Sequence, residues 1–166
     1  LTIHNELEET ISNFKHTESA ITYTSGYVTN LTTISSLMGR GDYVFSDKIN
    51  HASIVDGCLM SGAEFRRFKH NDMAHLEGLL KNAPAEVSKL VIADSVFSMD
   101  GDIADLPRIV ELSKKYNAWL MIDEAHSVGV LGKTGTGIEE HFGLGDVIDI
   151  KMGTLSKTIP SVGGYV

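Results

Sequence analysis

The feature that most limits what this chain can fold into is a rhythm in its apolar residues. Short apolar segments, Tyr43-Val-Phe-Ser, Glu64 to Phe68, Lys89-Leu-Val-Ile-Ala, Trp119-Leu-Met-Ile and Val147-Ile-Asp-Ile, read as strands. Between them lie stretches with helical spacing. Ile3, Leu7, Ile11 and Phe14 share one face of an opening helix, and Ala20 to Thr24 reads as a strand ending at Ser25-Gly26. Helices are expected from Tyr27 to Met38, after His51, after Asn71-Asp72 with Leu76, Leu79 and Leu80, and from Leu106-Pro107 to about Tyr116. Gly164-Tyr-Val begins a seventh strand. Strands alternating with helices form βαβ units, so the pattern predicts an α/β fold: three layers, a mostly parallel seven-stranded sheet with helices on both faces.

Composition excludes several classes of function. With 166 residues, 42% of them hydrophobic, the chain can bury a sizeable core as a single domain. Its net charge of -8, from 14 basic and 22 acidic residues, lacks the basic stripe that nucleic acid requires, so no nucleic-acid partner is expected. Cys58 stands alone and cannot form an intramolecular disulfide, and no leader or long apolar run is present, which makes the cytoplasm the expected location. The chain opens at Leu1 and stops at Val166 inside the apolar run GGYV, which suggests a piece of a larger polypeptide.

Polar residues with chemical potential follow the carboxyl end of one strand after another: Ser25-Gly26-Tyr27, His51, Ser98, Asp123 with His126, and Thr154 with Lys157. In an open α/β sheet that edge collects ligands, because loops and helix N-termini converge there. The segment IDEAHSVGVLGKTG invites a nucleotide-binding reading, but a phosphate-wrapping loop needs glycine where the aligned window has Ser127. The order is also reversed, since Asp123 precedes the glycine-lysine pair. Lys133 therefore reads as a solvated charge in a flexible connection.

An acid at one strand end and a lysine in a Gly/Ser/Thr-rich loop after the next strand suit pyridoxal phosphate. That cofactor needs an amine for its aldehyde, here Lys157, and a carboxylate beside its pyridine nitrogen, here Asp123. His16, His70, His75 and His141 lack ligand spacing, so no catalytic metal is expected.

The segments SGYVTN, DKINHASIVDG, RRFKHND, DSVFSMDGD, WLMIDEAHSVGVLG and MGTLSKTIPSVGGYV, in this order across nearly the whole chain, resemble the α-oxoamine synthase family of fold-type-I pyridoxal phosphate enzymes. The resemblance implies a pyridoxal phosphate-binding large domain over 1–166 whose last strand is antiparallel, without the family's N-terminal arm and C-terminal small domain. It implies decarboxylative condensation of an amino acid with an acyl-CoA or other acyl thioester, in a homodimer with its active site at the subunit interface. DEAHSVGVLGKTG and GIEEHFG most resemble the serine palmitoyltransferase and related synthase branch.

By the same resemblance Lys157 is the Schiff-base lysine, Asp123 the partner of the pyridine nitrogen, and His51 the imidazole stacked on the ring. His126 and Ser98 would lie near the phenolic oxygen. Gly26 and Tyr27 would meet the phosphate at a helix start, with Thr154 adding a hydroxyl. Ser98 and Thr154 also read as turn or cap residues, and Asp94 as either a second carboxylate of the site or a simple strand end. Pro160 and Thr136 depart from residues common in the family. Two other readings stay open: another fold-type-I enzyme, such as an aminotransferase or a lyase, and a non-catalytic partner subunit.

Overall fold

A computed structural model describes residues 2–166. The elements run α1 (Thr2–Lys15), β1 (Thr22–Tyr23), α2 (Gly26–Leu37), β2 (Tyr43–Asp47), α3 (Ala52–Ser61), β3 (Glu64–Phe68) and α4 (Met73–Asn82). They continue with β4 (Lys89–Asp94), α5 (Leu106–Lys115), β5 (Trp119–Asp123), α6 (Ile138–His141), β6 (Ile150–Thr154) and β7 (Gly164–Tyr165). The strands form one seven-stranded sheet in the order β1-β7-β6-β5-β4-β2-β3. Neighbours from β6 to β3 pair in parallel, and β7 runs antiparallel to both β6 and β1.

Alternation along each central strand builds the two outer layers. Val44, Leu90, Ile92 and Met121 point to one face and pack with Ile34, Ile54 and Cys58 of α2 and α3. Phe45, Val91, Ala93, Leu120 and Ile122 point to the other and pack with Leu76, Leu80, Ile109 and Leu112 of α4 and α5. All six residues of β4 are buried, as a central strand covered on both sides requires. Helix starts are capped by side chains: Ser25 accepts from Val28 N–H, Asp72 from His75 N–H and Asp105 from Arg108 N–H.

Three local expectations change. The strand anticipated at Val147–Ile150 begins only at Ile150, because Glu139 Oε1 takes the N–H groups of both Val147 and Ile148 at 2.9 Å. Those donors are then lost to a sheet ladder. The strand instead contains Lys151, which is buried and paired with Glu139 at 2.6 Å. The apolar stripe of α1 is covered only at Ile11; Ile3, Leu7 and Phe14 are exposed. The edge strand β1 holds only Thr22 and Tyr23.

Candidate active site

The carboxyl ends of the parallel strands surround a cavity of about 270 Å³ lined by Ser25, Gly26, Tyr27, Asn30, His51, Ser53, Asp94, Asp123, Ala125, His126, Met152, Thr154, Ser156 and Lys157. A larger hollow of about 660 Å³ lies beside α1 and β7, away from these groups. The chemistry gathers in the smaller one. Seven of the eight residues singled out from the sequence, Gly26, Tyr27, His51, Asp123, His126, Thr154 and Lys157, line it together. Ser98 does not; it sits exposed in the turn after β4, outside the lining.

The floor is a pair of carboxylates. Asp94 and Asp123 end β4 and β5 and face each other in register, both buried. Asp123 receives Asn30 Nδ2 at 2.7 Å on one oxygen and the Ala125 N–H at 2.9 Å on the other. Asp94 Oδ2 receives the His51 N–H at 3.1 Å, while Asp94 Oδ1 is buried without a partner. Burial, and then the charge of Asp123, raise the Asp94 carboxyl well above the ordinary range.

Opposite the floor, Lys157 Nζ lies 2.7 Å from His126 Nε2. Loss of hydration lowers the Lys157 pKa, against the opposing pull of Asp123 and Asp94. His126 is lowered as well, by burial first and then by the Lys157 charge. A lysine amine beside a neutral imidazole is poised to be nucleophilic.

One end of the cavity is the start of α2. The N–H groups of Gly26 and Tyr27 belong to the first helical turn and have no intrahelical acceptor, so an anion is favoured there. A Cβ on Gly26 would stand 3.1 Å from Thr154 Oγ1 and 3.2 Å from Met152 Cε, so glycine keeps this cradle open. His51 caps α3 with its own ring: Nδ1 accepts the Ser53 N–H at 3.3 Å.

Sequence reading missed Asn30 and Ser53. A signal was present: Asn30 lies one helical turn after Gly26, on the face where Thr33 and Ile34 are buried, and a polar side chain there needs partners.

These features belong to a known class. The chain belongs to the aminotransferase class I and II family, whose family model matches residues 1–166. It is 52% identical over 164 residues to an 8-amino-7-oxononanoate synthase of Lysinibacillus sphaericus, covering 99% of this chain and 42% of the relative. Toward the enzyme of the same name from Citrifermentans bemidjiense it is 53% identical over 163 residues, with 98% and 42% covered. Among solved structures it superposes with a TM-score of 0.96 on a serine palmitoyltransferase of S. paucimobilis with bound PLP-myriocin aldimine, at 43% identity over 99% of this chain and 42% of that one. Both named activities are those of α-oxoamine synthases. Identity is higher toward these two oxononanoate synthases than toward that palmitoyltransferase. The chain spans about two fifths of the length of the curated relatives it matches.

Proposed function

We propose that this chain holds pyridoxal phosphate in the cavity between Asp123 and Lys157, and that the whole protein condenses an amino acid with an acyl-CoA or other acyl thioester, with loss of carbon dioxide, to give an α-aminoketone. The observation that carries the proposal is the convergence in one cavity of a lysine with a lowered pKa, a buried carboxylate and a free helix start. The residues fit the cofactor at its reactive points. The N–H groups of Gly26 and Tyr27, with the Thr154 hydroxyl, suit a phosphate; Asp123 suits a protonated pyridine nitrogen; Lys157 suits an aldehyde. Buried Asp94 Oδ1 and Asn30 Oδ1, both unpartnered, are further polar atoms in the wall of this cavity.

When bound, the cofactor supplies an electron sink for a carbanion formed at the amino-acid α-carbon. The protein's part is binding, orientation and proton movement. Lys157 Nζ would be the base for the α-proton, a role its lowered pKa supports. Asp123 would hold the ring in register through the carboxylate that Asn30 and Ala125 fix. His51, exposed at the cavity rim, would cover the ring face, and His126 would orient the lysine amine it meets at 2.7 Å. Ser98 would have to enter from its turn to reach a bound ring.

The substrates rest on the α-oxoamine synthase relatives named above. A homodimer in the cytoplasm is part of the same reading, and no described helix is long and apolar enough to cross a membrane. The test is product analysis: the whole protein with pyridoxal phosphate is offered single amino acids with acyl-CoA donors. Equal yields of free CoA, carbon dioxide and aminoketone are expected. An oxo acid formed without use of the thioester would instead identify an aminotransferase.

A further inference from the structure

Along the cavity wall runs a chain of hydrogen bonds that joins the Asp123 carboxylate to the His51 ring. Asn30 of α2 is buried, and its Nδ2 donates both to Asp123 Oδ2 at 2.7 Å and to Ser53 Oγ at 2.9 Å. Ser53 of α3 is also buried, and its Oγ lies 2.7 Å from His51 Nδ1.

The direction of every bond in the chain is fixed by chemistry. A backbone N–H can only donate, so the Ser53 N–H at 3.3 Å makes His51 Nδ1 an acceptor. The Ser53 hydroxyl must then donate to Nδ1, which leaves its lone pairs for Asn30. Asn30 meets it with an amide hydrogen and sends the other to Asp123. A flipped amide would set its oxygen against a carboxylate oxygen, so this orientation is the stable one. The amide meets both donor demands at the expense of its acceptor, because Asn30 Oδ1 is left buried without a partner.

We infer that Asn30 is a positioning residue, whose single amide locks the Asp123 carboxylate and, through the Ser53 hydroxyl, the His51 ring into one unit. The consequence for a ligand is definite. In the neutral ring Nδ1 is committed to the chain, so the proton sits on Nε2 and only a donor is offered outward. The carboxylate and the imidazole are set together, although Asp123 ends β5 and His51 caps α3. The purpose of this arrangement rests on the function proposed above; the arrangement itself does not.

The test reads the imidazole ¹⁵N resonances of His51 in the whole protein without cofactor, for the parent, Asn30→Ala, Ser53→Ala and the double variant. Asn30 does not touch His51, yet Asn30→Ala is expected to move the Nδ1 resonance. In the Ser53→Ala background it should move it no further. An unmoved resonance in Asn30→Ala, or an equal shift with and without Ser53, overturns the inference. Asn30→Ser, which cannot reach both partners, takes the place of Asn30→Ala if that variant does not fold. A second readout is pyridoxal phosphate affinity, expected to fall about tenfold or more in Asn30→Ala, as for loss of a charged hydrogen bond. His51→Ala should add less than its full separate effect in the Asn30→Ala background. Failure of the parent to bind pyridoxal phosphate would sink the proposed function while leaving the resonance result to decide this inference.

Discussion

Lys157 Nζ is hydrogen-bonded to His126 Nε2 at 2.7 Å, bringing a lysine from the loop after β6 against a histidine from the loop after β5. Desolvation lowers the pKa of this lysine despite the carboxylates of Asp123 and Asp94. A lowered pKa means that the free amine is present at lower pH than in an ordinary lysine, whose value is about 10.4. The rate at which Lys157 reacts with an aldehyde should therefore rise at a pH below that of the exposed lysines. Site-resolved mass spectrometry after borohydride trapping across a pH series checks this, and a profile for Lys157 matching that of Lys133 would contradict it.

The start of α2 is pressed onto the sheet. A Cβ added at Gly164 would stand 2.8 Å from Gly26 Cα and 2.9 Å from Gly26 N. Gly164→Ala should push the helix start outward, costing about 1–3 kcal/mol as overpacking does. It should also weaken phosphate binding by displacing the N–H groups of Gly26 and Tyr27. Denaturant titration and inorganic phosphate binding measure the two effects separately.

Next to Asp123, Glu124 forms a buried ion pair with Lys15 of α1 and accepts the Ile138 N–H at 2.9 Å. Removing one member leaves an uncompensated buried charge, so Glu124→Ala should destabilise the protein by about 3–5 kcal/mol. Urea unfolding gives the value. A loss near zero would show that water reaches Lys15 once its partner is gone.

Much of this architecture was legible because its signals are local. The apolar run Lys89-Leu-Val-Ile-Ala read as a strand, and Asn71-Asp72 and Leu106-Pro107 marked the starts of α4 and α5. The site was legible as an edge because chemically able residues followed successive strands. What escaped depended on partners distant in sequence. Val147 and Ile148 have an apolar strand's composition, but Glu139 claims their N–H groups. Asn30 looks like an ordinary helix residue until Asp123, 93 positions away, lies at 2.7 Å. The stripe of α1 signalled a helix correctly, yet periodicity alone cannot say what covers Ile3, Leu7 and Phe14.

His70 offers a pH test independent of the cavity. Burial pulls its pKa down, but hydrogen bonds and charge from Asp47 and Asp102 outweigh this and leave it raised above 6.5. A folded-state pKa above the unfolded one stabilises the protein fully below the unfolded value, and the contribution fades as pH rises through the folded value. The parent should therefore lose stability relative to His70→Gln as pH rises from about 6 through the raised pKa. Thermal unfolding of both proteins over that range measures it; a constant difference would show that His70 keeps one protonation state throughout.

The central claim is that Lys157 is the amine that captures pyridoxal phosphate. The most direct measurement is borohydride reduction of the protein with pyridoxal phosphate, followed by peptide mass spectrometry, for the parent and for Lys157→Ala. The account predicts a stoichiometric cofactor mass on the Lys157 peptide of the parent and no stoichiometric label anywhere in the variant. Labelling spread over other lysines in the parent, or an undiminished label in Lys157→Ala, would contradict it.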